Sequence, residues 1–256
     1  VQFLLHLLTS NLAQVILLLI GLAFKDERNI AVFPLSPLEI LWANLVTSSP
    51  LALGLGLEEA QPDILQRPPR SLRAGVFTVD LIRDQFVYGT FMGSLCLASF
   101  MLVAYAASGQ GYHNLPIDCN EHGHDGCGLV FRARASTFAT LSFLLLVTAW
   151  EVKHFHRSLF NMDERWKGPF SVFKTVYHNR FLFWSVVAGF AITFPVIYLP
   201  SVNKSVFKHE AITWEWGVVF GCVAVYVALI EAWKAIKRRF GLGVDRHPVL
   251  EATSSV

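Results

Sequence analysis

Charge is what this chain has least of. Asp, Glu, Lys and Arg make up only 16% of its 256 residues, against 54% hydrophobic residues, and its mean hydropathy is +0.46. Soluble domains average about 25% charged residues, so the balance points to a bilayer as the solvent. The apolar runs also lack a polar stripe: FLLLVTAW and LFWSVVAGFAITFPVIYLP show none. That excludes a soluble bundle of amphipathic helices. The first run has neither a basic start nor a small-residue cleavage site, which excludes a signal peptide. Also missing are a Walker-type glycine loop, an HExxH pair and a GxSxG elbow. Nothing local therefore marks a phosphate cradle, a zinc protease or a serine hydrolase.

What is present is a series of apolar stretches of about 20 residues, the length that carries a helix across hydrocarbon. Six are expected, over 1–24, 38–57, 86–107, 135–151, 181–200 and 212–233, giving an all-α membrane protein. The chain opens on Val1 inside an apolar run, which implies a segment upstream. An even number of spans puts both termini on one side. Of the 21 Lys and Arg residues, 15 fall in the 58–85 and 152–180 loops and around the C-terminal end. By the positive-inside rule both termini are expected in the cytosol, with 241–256 as a disordered tail. The basic residues read as topology signals and contacts for anionic lipid. With a net charge of +2, no nucleic-acid partner is expected.

Cysteine is scarce as well, with four residues. Cys96 and Cys222 lie in apolar spans as packing residues. Cys119 and Cys127, in DCNEHGHDGC, share a non-cytosolic loop with His113, His122 and His124. A disulfide or two free thiols is favoured there over a metal, because the spacing fits no common zinc pattern. Asn203-Lys204-Ser205 forms a glycosylation sequon on the same side.

Polar residues inside the spans carry the functional signal, since each costs energy unless it faces protein or an aqueous path. The first span holds His6, Thr9, Ser10, Asn11 and Gln14, with Asn11 and Gln14 three apart and expected on one helical face. In the second, Asn44, Thr47 and Ser48 follow the i, i+3, i+4 pattern of one helical face. Pro50 removes a backbone donor and frees a carbonyl near Val46 and Thr47. Ser36-Pro37-Leu38-Glu39 matches a capping box with proline at the first helical position, which makes Glu39 a cap rather than a ligand. Amide, hydroxyl and carbonyl oxygens with few carboxylates suit Na⁺ or K⁺ better than Ca²⁺. Helix-to-helix hydrogen bonding by the same side chains is the plain alternative. Gly89 and Gly93 form a GxxxG packing motif.

Several segments then carry a family likeness. TSNLAQVI, ILWANLVTSS and GLGLEEAQPDILQRPPR resemble the fifth helix, the sixth helix and the following loop of P-type cation-transporting ATPases. FPLSPLEILW, VFRARASTFATLSFLLL and WEWG resemble most the fungal sodium or potassium exporters. The likeness covers about 1–240, read as the pump's C-terminal membrane domain. It implies an ion-binding set of Asn11, Gln14, Asn44, Thr47 and Ser48, with monovalent cations as cargo and the plasma membrane as location. Glu151 is either a further ligand from the pump's eighth helix or an interfacial anchor beside Lys153. Glu231 is expected to pair with Lys234. The likeness also implies partner domains upstream, since no DKTGT phosphorylation sequence occurs. ATP and Mg²⁺ would act only in a complete pump, with no cofactor in this chain. The other reading is a stand-alone membrane interaction protein derived from a pump.

Overall fold

The computed structural model describes residues 2–25, 29–58, 77–106, 119, 127–153 and 176–241. Among them are six helices long and apolar enough to span a membrane. They are α1 (Gln2–Gly21), α2 (Pro37–Gly56), α3 (Val79–Tyr105), α4 (Gly128–Glu151), α5 (Arg180–Tyr198) and α6 (Glu215–Phe240). No strand occurs among the described residues, and the all-α class stands. PDILQRPPR, the loop histidines and nearly all of the tail lie outside the described residues.

α4 is the central post. Within its most apolar window 89% of residues are buried inside the protein, against 22–50% for the other spans. It packs on α3, α5 and α6 and touches the middle of α2, while α1 lies mainly along α3. The GxxxG motif sets that last contact. A Cβ on Gly89 would lie 2.7 Å from Leu12, and one on Gly93 would lie 3.1 Å from the Ala13 carbonyl oxygen. Gly89→Leu is accordingly expected to destabilise the bundle by about 1–3 kcal/mol through overpacking. Gly217, with nothing within 4 Å of its added Cβ, should accept alanine without loss. Thermal unfolding in lipid nanodiscs compares the two variants.

Local sequence explains the helix starts. Ser36 and Glu39 form the capping box ahead of α2, with Pro37 at the first turn. Thr78 caps α3 by accepting from the Leu81 amide. Asn179 caps α5, accepting from Leu182 N at 3.0 Å, and donates to the Gly54 carbonyl at 2.8 Å. One side chain thus joins the start of α5 to the end of α2.

Three spans extend beyond their expected bounds by about two helical turns. α3 begins at Val79 rather than 86, α4 at Gly128 rather than 135, and α6 runs to Phe240 rather than 233. The added turns carry charges that hydropathy excludes, and the structure buries several of them against partners. Asp84 meets Lys237 at 2.7 Å, and Arg134 donates to the carbonyls of Phe33 and Cys119.

Midway along α2 the winding changes. Ala43–Ser48 is a π-helical segment directly before Ser49 and Pro50. Pro50 has no N–H to offer the preceding turn, and the Ser49 hydroxyl donates to the Asn44 carbonyl at 2.9 Å. Such π-bulges recur at functional sites.

Candidate cation site

The π segment of α2 faces α1, and polar side chains meet there. Asn44 Nδ2 donates to Gln14 Oε1 at 3.0 Å, and Gln14 Nε2 returns a bond to Asn44 Oδ1 at 3.2 Å. The Ser10 hydroxyl donates to Asn44 Oδ1 at 3.4 Å. An amide oxygen carries two lone pairs, so Gln14 Oε1 keeps acceptor capacity while paired, whereas Asn44 Oδ1 already accepts from both Gln14 and Ser10. Helix winding explains why Ser10 joins: it stands one turn before Gln14 on the same face.

The same two helices carry buried oxygens with nothing to bind. Thr9 Oγ1 and Ser48 Oγ are buried and make no hydrogen bond, and the same holds for both ring nitrogens of His6. An unsatisfied buried polar group costs about 1–3 kcal/mol. Thr47 is buried on the same π segment. These are neutral hard donors, suited to a weakly hydrated monovalent ion more than to a divalent one.

Two expected members lie elsewhere. Asn11 is exposed on the outer side of α1, whereas Gln14 is buried. Residues three apart are about 60° apart around a helix, and the edge of the buried face falls between them. Glu151 is fully buried at the end of α4, where its Oε2 meets Lys234 Nζ at 2.5 Å. Glu231 stands 3.9 Å from the same Nζ. Thr9 and Ser10, conversely, sit on the buried face of α1 beside Gln14. The i, i+4 spacing of Ser10 and Gln14 was the available signal.

At the opposite end of the bundle from Gln2 and Phe240, Glu39 does more than cap α2. Its Oε1 pairs with His209 Nε2, and both side chains are fully buried. His209 packs beside the rings of Phe138 and Phe207, which also contact each other. Cys119 and Cys127 are joined as a disulfide. No group of three or more His, Cys, Asp or Glu residues could hold a metal ion among the described residues. Asn203 of the sequon is buried and its Nδ2 donates to the Ile197 carbonyl at 2.9 Å. That nitrogen is the atom a glycan would need, so this conformation does not present the sequon for modification.

Six helices long and apolar enough to cross a membrane, the second broken by a π-helical segment that carries a cluster of neutral polar side chains, define a multi-pass membrane protein. The family model for the C-terminus of cation-transporting ATPases matches residues 32–236, and the chain belongs to that family. It is 46% identical over 241 residues to the sodium/potassium exporting P-type ATPase cta3 of Schizosaccharomyces pombe, covering 93% of this chain and 23% of that protein. Sodium/potassium exporting P-type ATPase 1 of Saccharomyces cerevisiae is 42% identical over 241 residues, covering 93% of this chain and 22% of that protein. A calcium-transporting ATPase of Bacillus subtilis is more distant, at 26% over 230 residues, which are 90% of this chain and 22% of that protein. The chain thus spans about a quarter of the length of the relatives it matches.

Proposed function

We propose that this chain is the ion-binding membrane part of a P-type ATPase that exports Na⁺ or K⁺, with its termini in the cytosol and the plasma membrane as its site. The observation that carries the reading is the Gln14–Asn44 amide pair at the π segment, flanked by the orphaned hydroxyls of Thr9 and Ser48. A dehydrated monovalent cation would satisfy those oxygens, and no carboxylate takes part in their hydrogen bonds. Likeness to exporters named for sodium and potassium supports the choice of ion. The 256 residues contain no DKTGT sequence, so ATP chemistry is assigned to domains elsewhere in the pump, and the chain by itself is expected to hydrolyse no ATP.

Asn11 fits this division. An exposed amide in the middle of a span is costly in lipid, and further pump helices against α1 would cover it. Asn11→Leu is expected to leave the thermal stability of the isolated chain unchanged while weakening cation activation of the complete pump. Measuring both separates a role at an interface from one inside this bundle.

The reading is tested with a complete pump that carries this chain as its C-terminal part, given ATP and Mg²⁺. Phosphorylation is expected in Na⁺ or K⁺ and not in choline. Phosphorylation that ignores alkali cations, or that needs Ca²⁺, would overturn it.

A further inference from the structure

Two buried ion pairs join α6 to the rest of the bundle, and they are built differently. In the first, both oxygens of Asp84 are engaged: Oδ2 by Lys237 Nζ at 2.7 Å and Oδ1 by Trp233 Nε1 at 2.9 Å. Neither oxygen of that carboxylate is left without a partner. In the second, Glu151 Oε2 accepts from Lys234 Nζ at 2.5 Å, while Glu151 Oε1 is buried with no hydrogen-bond partner. Both side chains are fully buried.

Lys234 Nζ also donates to the backbone carbonyl of Glu151 at 2.9 Å. That carbonyl is the last of α4, where a helix leaves its terminal oxygens unpaired and concentrates negative partial charge. Glu231 Oε1 stands 3.9 Å away. The ammonium therefore sits in a cup of oxygens from Glu151 and Glu231 at the negative end of a helix. Such a cup has the chemistry of an alkali-cation site, and ammonium and K⁺ are close in size.

We propose that Lys234 is a tethered counter-cation that fills a monovalent-cation site built on Glu151, and so withholds that carboxylate from transported ions. Removing the ammonium opens the cup to one additional K⁺-sized ion. The proposal stands on this geometry and draws on the proposed pump function only for the ion class.

The test counts ions. In the complete pump, without nucleotide, equilibrium binding of radiolabelled Rb⁺ is compared for the wild type, Lys234→Ala, and Lys234→Ala combined with Glu151→Gln. Lys234→Ala is expected to bind one more Rb⁺ per molecule than the wild type, and the double variant to return to the wild-type number. A folded Lys234→Ala protein that binds the wild-type number overturns the proposal. If Lys234→Ala folds only when K⁺ replaces choline at equal ionic strength, the proposal is supported, since K⁺ then stands in for the ammonium. Failure to fold in both salts overturns it. A wild type that binds no Rb⁺ or Na⁺ would count against the pump reading alone, because the gain of one ion in the variant is measured against that zero.

Discussion

Lys237→Met is expected to destabilise the bundle by about 3–5 kcal/mol, the cost of leaving a buried charge without its partner. Asp84 is only 3% exposed, and its Oδ2 has Lys237 Nζ as partner at 2.7 Å. Pairing the substitution with Asp84→Leu removes the stranded carboxylate as well, and most of the loss should return, because well-packed apolar replacements of buried ion pairs are often neutral. Trp233 then loses an acceptor, so recovery falls short by about 1 kcal/mol. Unfolding by denaturant in mixed micelles reads the comparison. A double variant as unstable as the single one would mean that the ion pair is not what holds α6 to α3.

Asn44→Leu is expected to act on ion binding far more than on stability. Hydrogen bonds between membrane helices are worth about 0.6 kcal/mol on average, so losing the bonds to Gln14 and Ser10 should cost the fold little. Losing a cation ligand is different. A fall of tenfold or more in apparent affinity for the activating ion corresponds to about 1.4 kcal/mol or more of binding free energy. Gln14→Leu should behave alike, and the two together should lose less than the sum, because each single change already breaks the same reciprocal pair. Cation titrations of phosphorylation, read beside thermal unfolding, give the split. Equal losses of affinity and stability would favour a purely structural amide pair.

What could be read locally was legible. Long apolar runs located all six helices, and the Ser36–Glu39 capping box and the GxxxG motif are short-range patterns with short-range physics. The ends of the spans were not legible, because hydropathy treats every charge as a boundary. Asp84, Arg134, Lys234 and Lys237 belong inside their helices because partners far away in sequence neutralise or bind them; Glu151 lies 83 residues from Lys234, and Asp84 lies 153 from Lys237. No window of sequence reports such a pairing. Glu39 shows both levels in one side chain, since its cap is local and its bond to His209 spans 170 residues.

The candidate site divides in the same way. Residue type and helical spacing placed Gln14 and Asn44 on inward faces, and the structure brings them into contact. Spacing of three put Asn11 on one face with Gln14, but the buried face ends between them, and only packing decides where such an edge falls. For Glu151 the choice between ligand and anchor turned on an unseen neighbour, and the neighbour in the structure is Lys234.

The most direct test of the central claim is equilibrium binding of radiolabelled Na⁺ and Rb⁺ to the complete pump, wild type against the Gln14→Leu, Asn44→Leu double variant. The account predicts saturable binding by the wild type and loss of at least one ion per molecule in the double variant, with the bundle still folded. Binding of the same number of ions with unchanged affinity would contradict it.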